Sequence, residues 1–537
     1  MSGTRMTRRQ LVHRSMASLA GAALGSVALP ELASAAPTRG GTLTIARPVD
    51  ATSLDLFKDS SAPASWVYGL IYEPLVTLGT NMTVGPGLAS SWRVLSPTSI
   101  RFSLRKGVKF HDGTACDAAA IKFNFDRTFN PKAPGIWASF AGPVKALQVV
   151  DDYTVDVVAT EPFSPLLLNM SMVHGGMVSP AAVRKYGDDF GRHPVGTGPF
   201  KFEEWQPRDH ITLSRNDDYW GDKPSLDRIV FKVIPDDSAR MIALRTGEAD
   251  MVLNPLVDQL PALRHDPNFT VAGVTGTRTV FLSLTLTQPP MDDVRVRRAM
   301  FMGTDRKSIQ ANLVQSAGTL ADSVMAPTVF GYAPMHLDTR YPYDPKAARA
   351  MLTSAGYTQG AGGMMERNGA PLALSMISSR GRYPKDAEIA QAFQAQMREI
   401  GIRVDLQLPE YPVVINALRT PTLNVHVLFS AWGNLTGDAD FTVVTVFRSD
   451  QIPPAGWNTF RYINPAFDKV ANAARVNLNP TERKQLYAQA QGMLARDIPF
   501  VPFYNMDNIA VMRSNVKGFV PHPVEYDLRV APVWIQK

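Results

Sequence analysis

The sequence predicts a layered α/β protein made of several structural units. Three observations point to it. The chain has 537 residues, too many for one ordinary core at roughly 150 residues per domain. A stretch from about 86 to 209 is rich in hairpin signals, and beyond it helix and strand signals alternate, as layered α/β architecture requires. With 45% apolar and 19% charged residues, the composition is that of a folded globular chain. Glycine and proline are spread along it as turn residues, with no internal repeat.

Taken in order, Gly41 to Ala46 alternates apolar and polar residues and reads as a first strand. Ser91–Leu95 and Ser99–Leu104 flank Ser96-Pro97-Thr98, and Val144–Val150 and Tyr153–Val158 flank Asp151-Asp152. Phe200–Trp205 and His210–Ser214 flank a turn containing Pro207 and Asp209. Next comes a helix capped by Ser238 that carries Met241, Ile242 and Leu244 and stops at Gly247. Asp344 with Pro345 opens another, ending near Gly356. Ile389, Phe393, Met397 and Ile400 fall at helical spacing, Gly401 ends that helix, and Ile402–Leu408 reads as the following strand. A later helix has Asn479 as cap, Pro480 as first residue and Glu482 three residues after the cap. It buries Leu486, Tyr487, Ala490, Met493 and Leu494.

The first 36 residues read as an address. A basic segment containing Arg8-Arg9 precedes a mildly apolar run of 14 residues, Met16–Leu29, too short to span a bilayer. Pro30 and the small-residue site Ala33-Ser34-Ala35 follow, so cleavage near Ala35 is expected. The paired arginines suggest twin-arginine export; an ordinary secretory signal is the alternative. Either route takes the mature protein out of the cytoplasm, and the periplasm of a double-membraned bacterium fits best. Cys116 is the single cysteine, which rules out an intrachain disulfide, and no cysteine follows the signal to carry a lipid. The net charge is +7, of which +3 falls in the first 36 residues, leaving about +4 for the rest. That mild excess, without a Lys/Arg stripe, argues against nucleic acid as a partner.

Catalytic signatures are missing. There is no nucleophile elbow, phosphate loop or zinc helix, and no cofactor is expected. Gly196-Thr197-Gly198 lacks the third glycine of a dinucleotide loop and reads as a tight turn into the strand starting at Phe200. The nine histidines are scattered, so no built-in metal site is expected. His111-Asp112-Gly113 reads as a helix cap with a turn glycine, not as a metal-dependent hydrolase motif.

Several segments, in order, resemble the peptide-binding type of periplasmic solute-binding protein that serves ABC importers, the group of oligopeptide, dipeptide, glutathione and nickel-complex receptors (family 5). They are Ile71-Tyr72-Glu73-Pro74-Leu75, Phe110-His111-Asp112-Gly113-Thr114, Gly196-Thr197-Gly198-Pro199-Phe200 with Trp205, and Arg215-Asn216-Asp217-Asp218-Tyr219-Trp220. Gly247-Glu248-Ala249-Asp250, Asp293-Val294-Arg295-Val296-Arg297, Tyr343-Asp344-Pro345 and Asn464-Pro465-Ala466-Phe467-Asp468 extend the likeness to essentially the whole mature chain. The resemblance implies an α/β, two-lobed periplasmic binding protein (class II, with an extra accessory domain), two chain crossings, and a ligand cleft between the lobes. By similarity, residues 37–85, 210–305 and 510–537 form lobe I, 86–209 an accessory domain inserted in it, and 306–509 lobe II.

The resemblance also nominates site residues. Alignment on the helix carrying Ile389 and Phe393 puts Arg380 in the role of the arginine that holds a ligand carboxylate, with Arg382 close by. Dipeptide receptors carry an amino-binding Asp shortly after a Trp. After Ala431-Trp432 this chain has Gly433, Asn434 and Leu435 instead, so either Asp438 or Asp440 supplies the charge from a shifted loop, or the ligand lacks a free amino terminus. Trp432, Trp66 and Tyr68 are candidates for the pocket wall. The expected function is therefore capture of a peptide or peptide-like solute and its delivery to an inner-membrane ABC permease by a monomeric, non-enzymatic receptor. A nickel chelate, opine, oligosaccharide or haem is the alternative ligand, and an exported hydrolase the competing class.

Overall fold

The computed structural model describes residues 38–420 and 425–537; the export segment and its cleavage site lie outside the described residues. An eleven-stranded sheet is the backbone of the molecule. Its centre is a pair of long antiparallel strands, Phe269–Leu284 and Phe500–Arg513. On one side Phe500–Arg513 pairs with Met251–Leu253, followed by Thr42–Arg47, Arg228–Val233, His210–Arg215 and Phe200–Gln206. On the other side Phe269–Leu284 pairs with Val427–Gly433, followed by Ala373–Ile377 and Arg403–Gln407. The parallel pairs, such as Thr42–Arg47 with Arg228–Val233, are joined through long intervening segments, as parallel pairing demands.

Of three main apolar cores, two lie along this sheet. One draws on residues 43–72, 178–253 and 510–533, and a second on residues 280–506. The third, over residues 75–177, packs around a separate four-stranded antiparallel sheet formed by Ala89–Ser96, Ser99–Leu104, Val144–Asp151 and Thr154–Ala159. Among the described strands, Phe269–Leu284 and Phe500–Arg513 each run from the first core into the second. The division differs from the one read by similarity. The hairpin Phe200–Arg215, split there between accessory domain and lobe, lies wholly at the edge of the long sheet. Val296, Ala299 and Met300, placed in lobe I by similarity, are fully buried in the second core.

Local signals set most elements. Asp344 accepts from the Ala347 N–H to open the helix Pro345–Ser354. Asn479 accepts from the N–H groups of Thr481 and Glu482 to open Pro480–Asp497, where Tyr487, Ala490 and Leu494 are fully buried. Burying each large apolar side chain there stabilises the fold by about 1.5–3 kcal/mol. Two expected caps shift. Asp236, not Ser238, caps Asp237–Thr246, since an aspartate two residues earlier reaches the same turn. Asp117, not Asp112, caps Ala118–Thr128; Asp112 instead accepts from Thr114 and Ser179 within its loop.

Three segments that carry the family resemblance meet at Glu73. Its carboxyl accepts from Tyr219 Oη at 2.6 Å, Trp220 Nε1 at 2.7 Å and Thr197 Oγ1 at 2.9 Å. Burial pushes it up to about 7 despite these donors. Beside it, Gly196 and Gly198 serve close approach instead of a turn. A Cβ on Gly196 would lie 2.1 Å from the Ile71 carbonyl oxygen and one on Gly198 2.4 Å from that of Leu70, and the Gly198 N–H donates to Ile71 O at 2.8 Å.

Candidate ligand cavity

Where the second core meets the third core and the C-terminal segment, a cavity of about 200 Å³ opens. The second core contributes most of the wall, Phe140 and Leu435 enter from the side of the third, and Tyr526 comes from the C-terminal segment. One wall is the strand Val427–Gly433. Residues 427–433 pair with 278–284 along one edge, whereas the opposite edge pairs only at Val427 and Leu428. Phe429 to Gly433 therefore leave backbone groups unpaired by any described strand beside the cavity. A second wall is the amphipathic helix Tyr411–Arg419, which presents Val414, Ile415 and Leu418. Trp432, stacked on Phe441 at 5.3 Å and tilted against Trp457 at 6.0 Å, completes an aromatic face.

Two arginines supply the charge. Arg278 sits on the crossing strand directly opposite Gly433, where a Cβ would come within 2.8 Å of its Nη2; the glycine makes room for the guanidinium. Arg278 Nε donates to Glu525 Oε2 at 2.8 Å and Nη2 lies 2.7 Å from the same oxygen. Burial works against this charge, yet Glu525, with Tyr526 and Tyr383, outweighs it and holds the guanidinium above its ordinary range. Glu525 is correspondingly held low: burial raises it, and Arg278 and Arg382 more than compensate.

Arg382 is placed by a different device. Asp386, buried at the start of the helix Asp386–Glu399, accepts from the N–H groups of Gly381, Arg382 and Tyr383 and from Ser379 Oγ, at 2.8 to 3.2 Å. That fastens the loop, and Tyr504 Oη holds its far end through Pro384 O at 2.8 Å. The Arg382 guanidinium then lies 5.0 Å from the ring centre of Tyr383 and 5.1 Å from that of Tyr411, a cation–π seat. It is part-buried; no described carboxylate is in ion-pair contact with it, although Glu525 is near enough to favour its charge.

The residues nominated from sequence separate into two groups. Arg382 and Trp432 line the cavity together. Arg380 is exposed and does not line it, because the bend at Gly381, with φ of 76°, separates it from its neighbour. Asp438 is fully buried and gripped by Arg483 Nη2 at 2.8 and 2.9 Å. Asp440 is buried at the start of Asp440–Phe447; burial pushes its carboxyl up to about 7 against the pull of Arg475. Neither acid lines the cavity. Tyr68 is fully buried, its hydroxyl directed at the carbonyls of Ser53, Asp55 and Asp59. Trp66 lines a separate space of about 40 Å³ and donates through Nε1 to Glu525 O at 3.0 Å, bracing the loop that holds the Arg278 partner. Sequence reasoning passed over Arg278, Glu525, Tyr383, Tyr411 and Tyr526. The one signal for Arg278 is a cation beside the apolar run Val280–Leu284.

Among the described residues no group of three or more His, Cys, Asp or Glu side chains is arranged to hold a metal ion, and no helix is long and apolar enough to cross a membrane. Residues 83–453 match the family model for bacterial extracellular solute-binding proteins, family 5. The chain is 28% identical over 473 residues to a glutathione-binding protein, GsiB, of Salmonella paratyphi A, covering 87% of this chain and 90% of that one. Its fold matches the periplasmic binding protein DppA of Helicobacter pylori, solved with the peptide STSA, with a TM-score of 0.77 and 27% identity over 93% of this chain and 99% of that one. NikA of Brucella suis, solved with Fe(III)-EDTA, matches with a TM-score of 0.81 and 26% identity over 92% of this chain and all of the other. A cavity built from binding groups, in a fold shared with these receptors, has its explanation in descent: the chain belongs to family 5 of the bacterial extracellular solute-binding proteins.

Proposed function

We propose that this substrate-binding component of an ABC importer captures a peptide or peptide-like solute bearing a carboxylate, with Arg382 as the carboxylate anchor. The observation that carries the reading is the Arg382 guanidinium, part-buried at the cavity and outside ion-pair contact with any described carboxylate. A buried cation is stable only when paired, and a ligand carboxylate can take two parallel hydrogen bonds from its fork. The open edge of residues 429–433 supports a peptide-like body, because an extended backbone can add itself to a free strand edge. Arg278, already neutralised by Glu525, acts as a neutral wall of hydrogen-bond donors. In this reading the mature chain begins after cleavage near Ala35 and works as a monomer in the periplasm, handing its solute to the membrane permease. The first core with its 510–533 segment forms one lobe, the 280–506 core the other, and 75–177 the accessory domain. Native mass spectrometry of the protein purified from its host, followed by denaturing release of whatever is bound, tests the reading. A one-to-one, unaltered carboxylate compound supports it; a neutral sugar or a metal chelate without a free carboxylate overturns the choice of solute.

A further inference from the structure

Resting on that reading, we infer that the solute is an apolar organic anion: a carboxylate with an aromatic or aliphatic body and no ammonium group. Among the described residues, the cavity is lined by two arginines and by no Asp, Glu, His or Lys. Glu525 pairs with Arg278 and also faces Arg382, so the three groups together carry one net positive charge. A ligand with a single net negative charge neutralises it, whereas a zwitterion brings a second cation with nowhere to go.

No described acid lines the cavity to receive an ammonium. Glu525 faces Arg278. Asp438 belongs to Arg483. Asp440 keeps one buried oxygen without a partner, but it lies outside the lining, near Arg475, Arg483 and Arg448. The open strand edge offers carbonyl oxygens, which satisfy hydrogen bonds but cannot cancel a charge. The rest of the wall points the same way. Trp432 of the wall carries a buried Nε1 donor with no partner among the described residues. Val414, Leu418 and Trp457 provide apolar surface for the body of the ligand.

The test is calorimetric titration of the full mature protein, freed of co-purified ligand by partial unfolding and dialysis, with three matched compounds. They are leucyl-phenylalanine; 4-methylpentanoyl-phenylalanine, which is the same molecule with the ammonium deleted; and the carboxamide of the second, which lacks the carboxylate. The compound without ammonium should bind at least about 30-fold more tightly than leucyl-phenylalanine, the order expected for leaving a buried charge unpaired. Equal or tighter binding of leucyl-phenylalanine overturns this inference while leaving the receptor reading intact. If none of the three binds, the inference and the peptide-like reading both fail. If the carboxamide matches its acid, the role of Arg382 as anchor fails, and the inference with it.

Discussion

Replacing Asp438 with asparagine separates a structural role from a binding role at one atom. The carboxylate is completely buried, and Arg483, itself 7% exposed, meets both of its oxygens. Tyr487 Oη donates to Oδ1 at 3.3 Å and the Asp440 N–H donates to the same oxygen at 2.9 Å. An asparagine keeps one acceptor oxygen but removes the charge, leaving the Arg483 guanidinium in the second core without its ion-pair partner. Breaking a buried pair in this way costs about 3–5 kcal/mol, a large part of a typical stability of about 5–15 kcal/mol. Urea unfolding followed by circular dichroism should show the loss as a lowered midpoint at unchanged slope. Asp438→Asn combined with Arg483→Met should recover much of it, because removing both charges removes the unpaired one. Ligand affinity of the folded fraction should be unchanged, since Asp438 does not line the cavity. A variant as stable as the parent but unable to bind would refute the reasoning and return Asp438 to the site.

Arg382→Ala should weaken binding of a carboxylate ligand by about 2–5 kcal/mol, whereas Arg380→Ala should leave it unchanged; titration calorimetry on the pair decides between the neighbours. Gly196→Ala drives a methyl group into the Ile71 carbonyl and should cost about 3 kcal/mol by urea unfolding, against almost nothing for Gly492→Ala, where no atom lies within 4 Å. His174 is held neutral in the fold, burial lowering it from 6.5 to about 4 with Asp59 opposing. The unfolded chain takes up that proton first, so stability falls as pH drops through this window, by about 3 kcal/mol in all. Stability curves of the parent and His174→Gln at pH 7 and pH 4 should differ in slope by that amount; parallel curves would disprove it.

Much of the fold was legible because its cues are local. Asp344 and Asn479 cap the helices they were expected to cap, and Ser99–Leu104 and Thr154–Ala159 form strands where turn residues predicted them. What escaped depends on contacts between distant residues. Arg278 and Glu525 are 247 positions apart, and no spacing rule joins them. Asp438 near Trp432 looked like a binding acid because Arg483, 45 residues further on, is invisible as its owner until the chain folds. Arg380 and Arg382 are indistinguishable in composition, and only the anchoring of the intervening loop by Asp386 turns one outward and one inward. The crossing near Arg278 was missed because a strand of 16 residues passes from core to core without a turn.

That strand has a mechanical consequence. The two connections between the main cores are a continuous ribbon, and its ladder slips register between Thr275 and Thr279, beside the arginine that faces the cavity. A bulge of this kind concentrates twist. Opening and closing would then be a torsion of one hydrogen-bonded element, not a swing on loose tethers. If the cores move on binding, such a ribbon would store the difference between empty and loaded as an angle.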